Sequence, residues 1–134
     1  MPLRITLKPS ERLIINGAAI RNGERSTSLL IETPCKFLRE SEIIQESEAD
    51  TACKRLCVTL QLLYLADHPP EAEDLLVQQS NAILKAMPTS APYLLAIQDE
   101  LAERQYHRAL KRGKELVAYE QALLERLSLP DDAA

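Results

Sequence analysis

The chain has 134 residues, 46% of them apolar and 27% charged, with a net charge of −4. That is enough for one domain with a real core, too rich in apolar residues for a disordered chain, and too small for two large domains. No apolar run approaches the roughly 20 residues of a membrane span, and the opening MPLRITLKPSER lacks the apolar middle of a signal peptide, so a cytoplasmic protein is expected.

Residues 3–8, LRITLK, alternate: Leu3, Ile5 and Leu7 to one side, Arg4, Thr6 and Lys8 to the other, the period of a half-buried strand. Pro9-Ser10 breaks the run. Leu13 to Ile15 form a second strand, and Asn16-Gly17 supplies the positive φ of a tight hairpin turn. Ala18 to Arg21 make a third strand, Asn22-Gly23 a second turn, and a fourth strand follows at about 25–32, before Thr33-Pro34. The expected product is an antiparallel meander paired in chain order.

From residue 40 the texture changes. ESEIIQESEAD is an acidic connector in which Ile43-Ile44 anchor either a fifth short strand or an ordered crossover. Asp50 or Thr51 caps a helix running to about Ala66, with Cys53, Leu56, Cys57, Leu60, Leu63 and Tyr64 spaced for one face. His68-Pro69-Pro70 stops it. A second helix, about 71–87, opens on Glu71, Glu73 and Asp74, acids that complement the helix dipole. A third begins near Ser90 to Pro92, where a proline lacking its N–H is harmless. The last stretch, about 105–128, keeps an apolar stripe through Tyr106, Ala109, Leu110, Leu116, Val117, Leu123, Leu124 and Leu127. Gly113 falls on that stripe and either breaks the helix or lets a neighbouring backbone come close; the unbroken register favours close approach. Residues 129–134 form a tail.

Strands first and helices after imply an α+β fold: a four- to five-stranded antiparallel meander over residues 1–46, then three to four helices over 47–128 packed with it.

Chemistry of the catalytic kind finds little footing. His68 and His107 have neither nucleophile nor paired carboxylate beside them and read as surface histidines, and no GxSxG, HExxH or Walker-type phosphate loop occurs, so the chain does not read as an enzyme. Three cysteines without an export signal argue against a disulfide framework; Cys53 and Cys57 read as core filler, and no cofactor or metal is expected.

Charge is unevenly spread. Residues 1–39 carry seven basic against three acidic side chains, a net +4, whereas residues 40–134 carry nine against seventeen, a net −8. Arg4, Thr6 and Lys8 leave the face of the first strand opposite its core residues. Arg12 begins the second strand, Arg21 closes the third and Arg25 opens the fourth. With the polar Asn16 and Asn22 of the turns, these eight residues form a candidate RNA-binding surface, because guanidinium forks onto phosphate and lysine acts as a point charge. Edge charges that merely prevent aggregation explain the same pattern equally well. The absence of aromatics from residues 1–36 argues against a base-stacking platform, and the acidic helical half argues against duplex DNA.

MPLRITLKPSERLIINGAAIRNGERSTSLLI, then FLRESEIIQE, then a helix containing LCVTLQLLYL, resembles the FlbT family of flagellar biosynthesis repressors of alphaproteobacteria. The likeness runs in order through the whole chain. It implies a post-transcriptional repressor that associates with the 5′ untranslated leader of flagellin messenger RNA and promotes its decay, with FlaF a partner in the same circuit. The family often carries glycine where this chain has Ser10, a departure that is tolerable if the turn keeps negative φ. The competing expectation is a protein-binding module whose helices hold FlaF or flagellin and act on RNA only indirectly.

Overall fold

The structure is a computed structural model that describes residues 2–66 and 70–128. Five strands come first: β1 (Leu3–Leu7), β2 (Arg12–Ile15), β3 (Ala18–Arg21), β4 (Thr27–Ile31) and β5 (Phe37–Arg39). Four α-helices follow: α1 (Ala52–Leu65), α2 (Pro70–Ala86), α3 (Ala91–Ala102) and α4 (Tyr106–Ser128). The α+β class is as the sequence implied. The chain divides into two compact units, Met1–Ile43 and Ile44–Ala134.

In the first unit the strands do not pair in chain order. β1 pairs antiparallel with β4, Ile5 opposite Leu29, and a second sheet runs β3-β2-β5. The Asn16-Gly17 hairpin forms as expected: Asn16 sits at φ 48 and Gly17 at φ 84, the left-handed pair of a tight reversal. Asn22-Gly23 behaves differently. Gly23 is not in the positive-φ region. Instead the Asn22 side-chain amide donates to the carbonyls of Lys8 and Arg25, each at 2.8 Å, and more weakly to that of Leu7 at 3.3 Å. This ties the chain across the end of β1, so β4 returns beside β1 and not beside β3. Ile5, Leu7 and Leu13 form the buried cluster between the sheets, with Ile31 and Phe37 packed against it.

Of the two alternatives for Ile43-Ile44 the structure has the ordered crossover, and the fifth strand lies earlier in the chain. It lies at Phe37–Arg39 and pairs with β2, Leu38 opposite Ile14. Ile43 and Ile44 instead fall between two short 3-10 turns, Glu40–Glu42 and Glu46–Glu48. The backbone of Ile44 is held by the buried Gln61 side chain, which accepts its N–H at 2.6 Å and donates to its carbonyl at 2.9 Å.

In the second unit Thr51 is the cap of α1, accepting the Lys54 N–H through its hydroxyl at 3.2 Å. The buried face of α1 carries Cys53, Leu56, Cys57, Leu60 and Leu63, the predicted stripe. Gly113 interrupts nothing: α4 is continuous from Tyr106 to Ser128. What comes close to it is side chain, not backbone, since a Cβ built there would lie 2.8 Å from Leu60 Cδ1 and 2.9 Å from Cys57 Sγ. Tyr93 of α3 stacks on Tyr119 of α4 with ring centroids 4.7 Å apart. Among the described residues the stripe of α4 is left exposed at its end, Leu124 at 43% and Leu127 at 82%. The expected helix stop at His68 and the tail at 129–134 lie outside the described residues. No helix among the described residues is long and apolar enough to cross a membrane.

Candidate nucleic-acid interface

The predicted basic residues separate into two groups. Pleating sends Arg4 and Thr6 to the side of β1 opposite Ile5 and Leu7, where Leu30 and Ser28 of β4 face them. Thr6 Oγ1 lies 3.4 Å from Ser28 Oγ across the strands. Arg12 lies on the side of β2 opposite Leu13, directly across from Arg21 of β3. Leu13 shares the inter-sheet cluster with Ile5 and Leu7, so Arg4 and Arg12 project from the outer sides of two different sheets. A single cationic sheet face is therefore not formed.

The second group converges on an end instead. Asn22 draws the backbones of Lys8 and Arg25 onto one amide. Its own N–H donates to the Glu11 carbonyl at 2.8 Å, and the Ser10 N–H donates to the Gly23 carbonyl at 2.9 Å. The 8–12 and 21–25 segments are thus laced together, and Lys8, Arg12, Arg21 and Arg25 all leave this one end exposed. Arg21 also donates to the Ser10 carbonyl at 2.9 Å. Among the described residues, the Arg12 and Arg25 side chains make no hydrogen bond or ion pair, which leaves their guanidinium groups available to an anion.

Asn16 and Asn22 are occupied within the fold. Asn16 Oδ1 accepts the Lys36 N–H at 3.3 Å, while its backbone N–H donates to the Lys36 carbonyl at 2.9 Å. Ser10 adopts φ 61, the left-handed conformation, so its turn does not keep the negative φ under which serine costs nothing.

A residue pair missed by sequence reasoning holds the site's scaffold. Arg39 of β5 donates to the Thr6 carbonyl at 2.6 Å and pairs with Glu11 at 3.3 Å. Glu11 also accepts the Lys8 N–H at 2.7 Å. That backbone hydrogen bond, with the Arg39 charge, holds the Glu11 carboxyl below its ordinary range against a smaller opposing effect of burial. The sequence signal was present, an acid in the turn and an arginine in FLRE, but 28 residues separate them and no periodicity links them.

Elsewhere, Cys53 and Cys57 are fully buried on α1. Burial raises both thiols, Cys57 to about 12, and the nearby Glu120 carboxylate adds to the effect at Cys53. Glu120 also accepts the Cys53 N–H at 3.3 Å. His107 is half-buried with its ring 5.4 Å from that of Tyr64, not a surface histidine as its charged neighbours had suggested. No group of three or more metal-ligating side chains gathers among the described residues.

The family model described as "Flagellar protein FlbT" matches residues 3–124. The chain belongs to the FlbT family. Its relatives include a "Probable flagellum biosynthesis repressor protein FlbT" of Rhodopseudomonas palustris, 31% identical over 94% of this chain and all of the relative. A second such protein, from Bradyrhizobium diazoefficiens, is 34% identical over 98% of this chain and all of the relative. The "Flagellum biosynthesis repressor protein FlbT" of Caulobacter vibrioides is 28% identical over 96% of this chain and 93% of the relative. No solved structure matches. Much of the LKPSERLIINGAAIRNG stretch that carries the family likeness is spent on the fold, through Glu11, Asn16, Arg21 and Asn22.

Proposed function

We propose that this chain is a post-transcriptional repressor of flagellin expression that associates with the 5′ leader of flagellin messenger RNA and promotes its decay, with Lys8, Arg12, Arg21 and Arg25 as phosphate contacts. The names of its relatives as flagellum biosynthesis repressors support the regulatory role. The observation that carries the RNA contact is the Asn22 amide, which gathers the chain segments bearing those four cations onto one exposed end. Single-stranded RNA fits better than duplex, because residues 40–134, which hold every helix long enough to enter a groove, carry a net charge of −8.

Four phosphate contacts to a single strand would give a slope of about −3 in log affinity against log salt. Filter binding of flagellin leader RNA at graded salt tests this. Arg12→Ala should flatten the slope by roughly 0.7, the single-strand coefficient for one contact, while Arg4→Ala leaves it nearly unchanged. A response to salt that is flat, or that falls equally in both variants, overturns the assignment.

A second reading, that the helical unit docks a protein such as FlaF or flagellin, is favoured by exposed apolar side chains on α2 and α3, Val77 at 55% and Leu95 at 62%. A partner retained in pull-downs from nuclease-treated lysate, with no leader RNA bound by the purified chain, would favour that reading.

A further inference from the structure

The helical unit carries a groove that the RNA reading does not use. The α2–α3 connection is only the four residues 87–90, three of them in a 3-10 turn. The two helices diverge from it, leaving an open cleft of about 500 Å³. Val77, Asn81 and Leu84 line one wall, Leu94, Leu95 and Gln98 the other. Val77, Leu84 and Leu95 are 55%, 41% and 62% exposed, a contiguous apolar strip of the kind that marks an interaction site and not scattered surface leucines. The wall also contains Ser80, whose hydroxyl oxygen is shut off from solvent and has no hydrogen-bond partner among the described residues.

Charge says what kind of guest fits. One turn beyond Val77 on the same side of α2 stand Glu73 and Asp74, and one turn beyond Leu95 on α3 stands Asp99, by the i, i+3/i+4 spacing of a helix surface. All three are exposed, and none makes a hydrogen bond or ion pair through its side chain among the described residues. The opposite end of the cleft, at the connection, carries Lys85 and no acid in the last turn of α2. From Val77 to Leu84 the wall is about 10 Å long, the rise of seven helical residues, and spans two turns of a guest helix.

We infer that this cleft is a docking site for an amphipathic helix of another protein, with its apolar stripe on Val77, Leu84 and Leu95 and its lysine or arginine residues at the Glu73–Asp74–Asp99 end. The recognition is of the helix-in-groove kind: apolar anchors at i, i+3 or i+4 and i+7 give affinity, and the acidic mouth sets direction and selects against acidic helices. It rests on and sharpens the protein-docking reading of the helical unit, and it is independent of the RNA reading, since no residue of the cleft belongs to the strand unit.

The probe is a labelled 14-residue helical peptide with leucines at i, i+3, i+4 and i+7 and three lysines in its last turn, compared with the same peptide bearing three glutamates there. Fluorescence anisotropy with the full chain should show binding of the lysine peptide, weakened by salt, and about tenfold or more weaker binding of the glutamate peptide. Leu95→Asp should remove binding of both, and Glu73→Lys with Asp74→Lys and Asp99→Lys should reverse the preference. These side chains are exposed, so unchanged thermal melts will show that the variants fold. Equal binding of the two peptides, no binding of either, or a preference untouched by the triple change overturns the inference. So does a dimer in sedimentation that Leu95→Asp abolishes, which would give the cleft to a second copy of this chain. Leader-RNA binding unchanged in Leu95→Asp is expected whichever way the peptide result falls, so the two readings fail separately.

Discussion

Arg39 and Glu11 form an ion pair within the strand unit, the guanidinium 3.3 Å from the carboxylate and 2.6 Å from the Thr6 carbonyl. Because the folded state holds the Glu11 carboxyl below its ordinary value of 4.5, the stabilisation it brings is present in full above that value. It is lost as pH falls through the lower folded value. Denaturation midpoints of the native chain should therefore drop on acidification below about 4.5, and Glu11→Gln should have a lower midpoint at pH 7 and a flatter acid limb. An acid limb identical in the two proteins would show that the pair contributes nothing.

Ser10 and Gly17 make a matched test of backbone strain. Ser10 at φ 61 carries a Cβ in the left-handed region, and its hydroxyl makes no hydrogen bond among the described residues. Ser10→Gly should stabilise by about 0.5 kcal/mol, the relief of left-handed strain less the entropy glycine gains on unfolding. Gly17 at φ 84 has open space around it, so Gly17→Ala costs only conformation, about 1 kcal/mol. Urea titrations should show midpoints moving in opposite directions with unchanged m-values.

Gly113→Ala tests the α1–α4 contact. Alanine is the better helix former by about 1 kcal/mol, so on propensity alone the change stabilises. The new methyl would lie 2.8 Å from Leu60 Cδ1 and 2.9 Å from Cys57 Sγ, inside a close-packed interface, and overpacking of this kind costs about 1–3 kcal/mol. Net destabilisation is expected, and a raised melting temperature would show that Leu60 and Cys57 yield freely.

Thiol titration should report one accessible cysteine. Cys35 is partly exposed, whereas Cys53 and Cys57 are buried and held as neutral thiols, Cys57 with its value raised to about 12. Native protein should release one equivalent of chromophore from a disulfide reagent, and the other two only on unfolding. Rapid reaction of all three would contradict the packing of α1 against α4.

What could be read from sequence was whatever repeats locally. Alternation in LRITLK gave β1, Asn16-Gly17 gave the β2–β3 hairpin, and the 3.6-residue spacing with its capping threonine gave α1. Pairing was not legible, because the partner of β1 depends on three hydrogen bonds from one asparagine side chain, and Asn22-Gly23 is spelled like any turn. The same bonds decided the candidate site. Alternation alone put Arg4 with Arg12, whereas the two-sheet arrangement parts them and leaves the cationic cluster at the end, around Asn22.

The Arg39–Thr6 contact also bears on how the chain emerges from a ribosome. It joins residues 33 positions apart, and β1 finds its own sheet partner only at Thr27–Ile31. A nascent fragment that ends before Arg39 can form the local hairpin but cannot seal the layer above it, since distant contacts reward the chain only after the intervening loop has closed. Commitment of the strand unit thus waits for Arg39 to leave the exit tunnel, and translational pausing before that codon would prolong the exposure of Ile5 and Leu7 to chaperones and proteases.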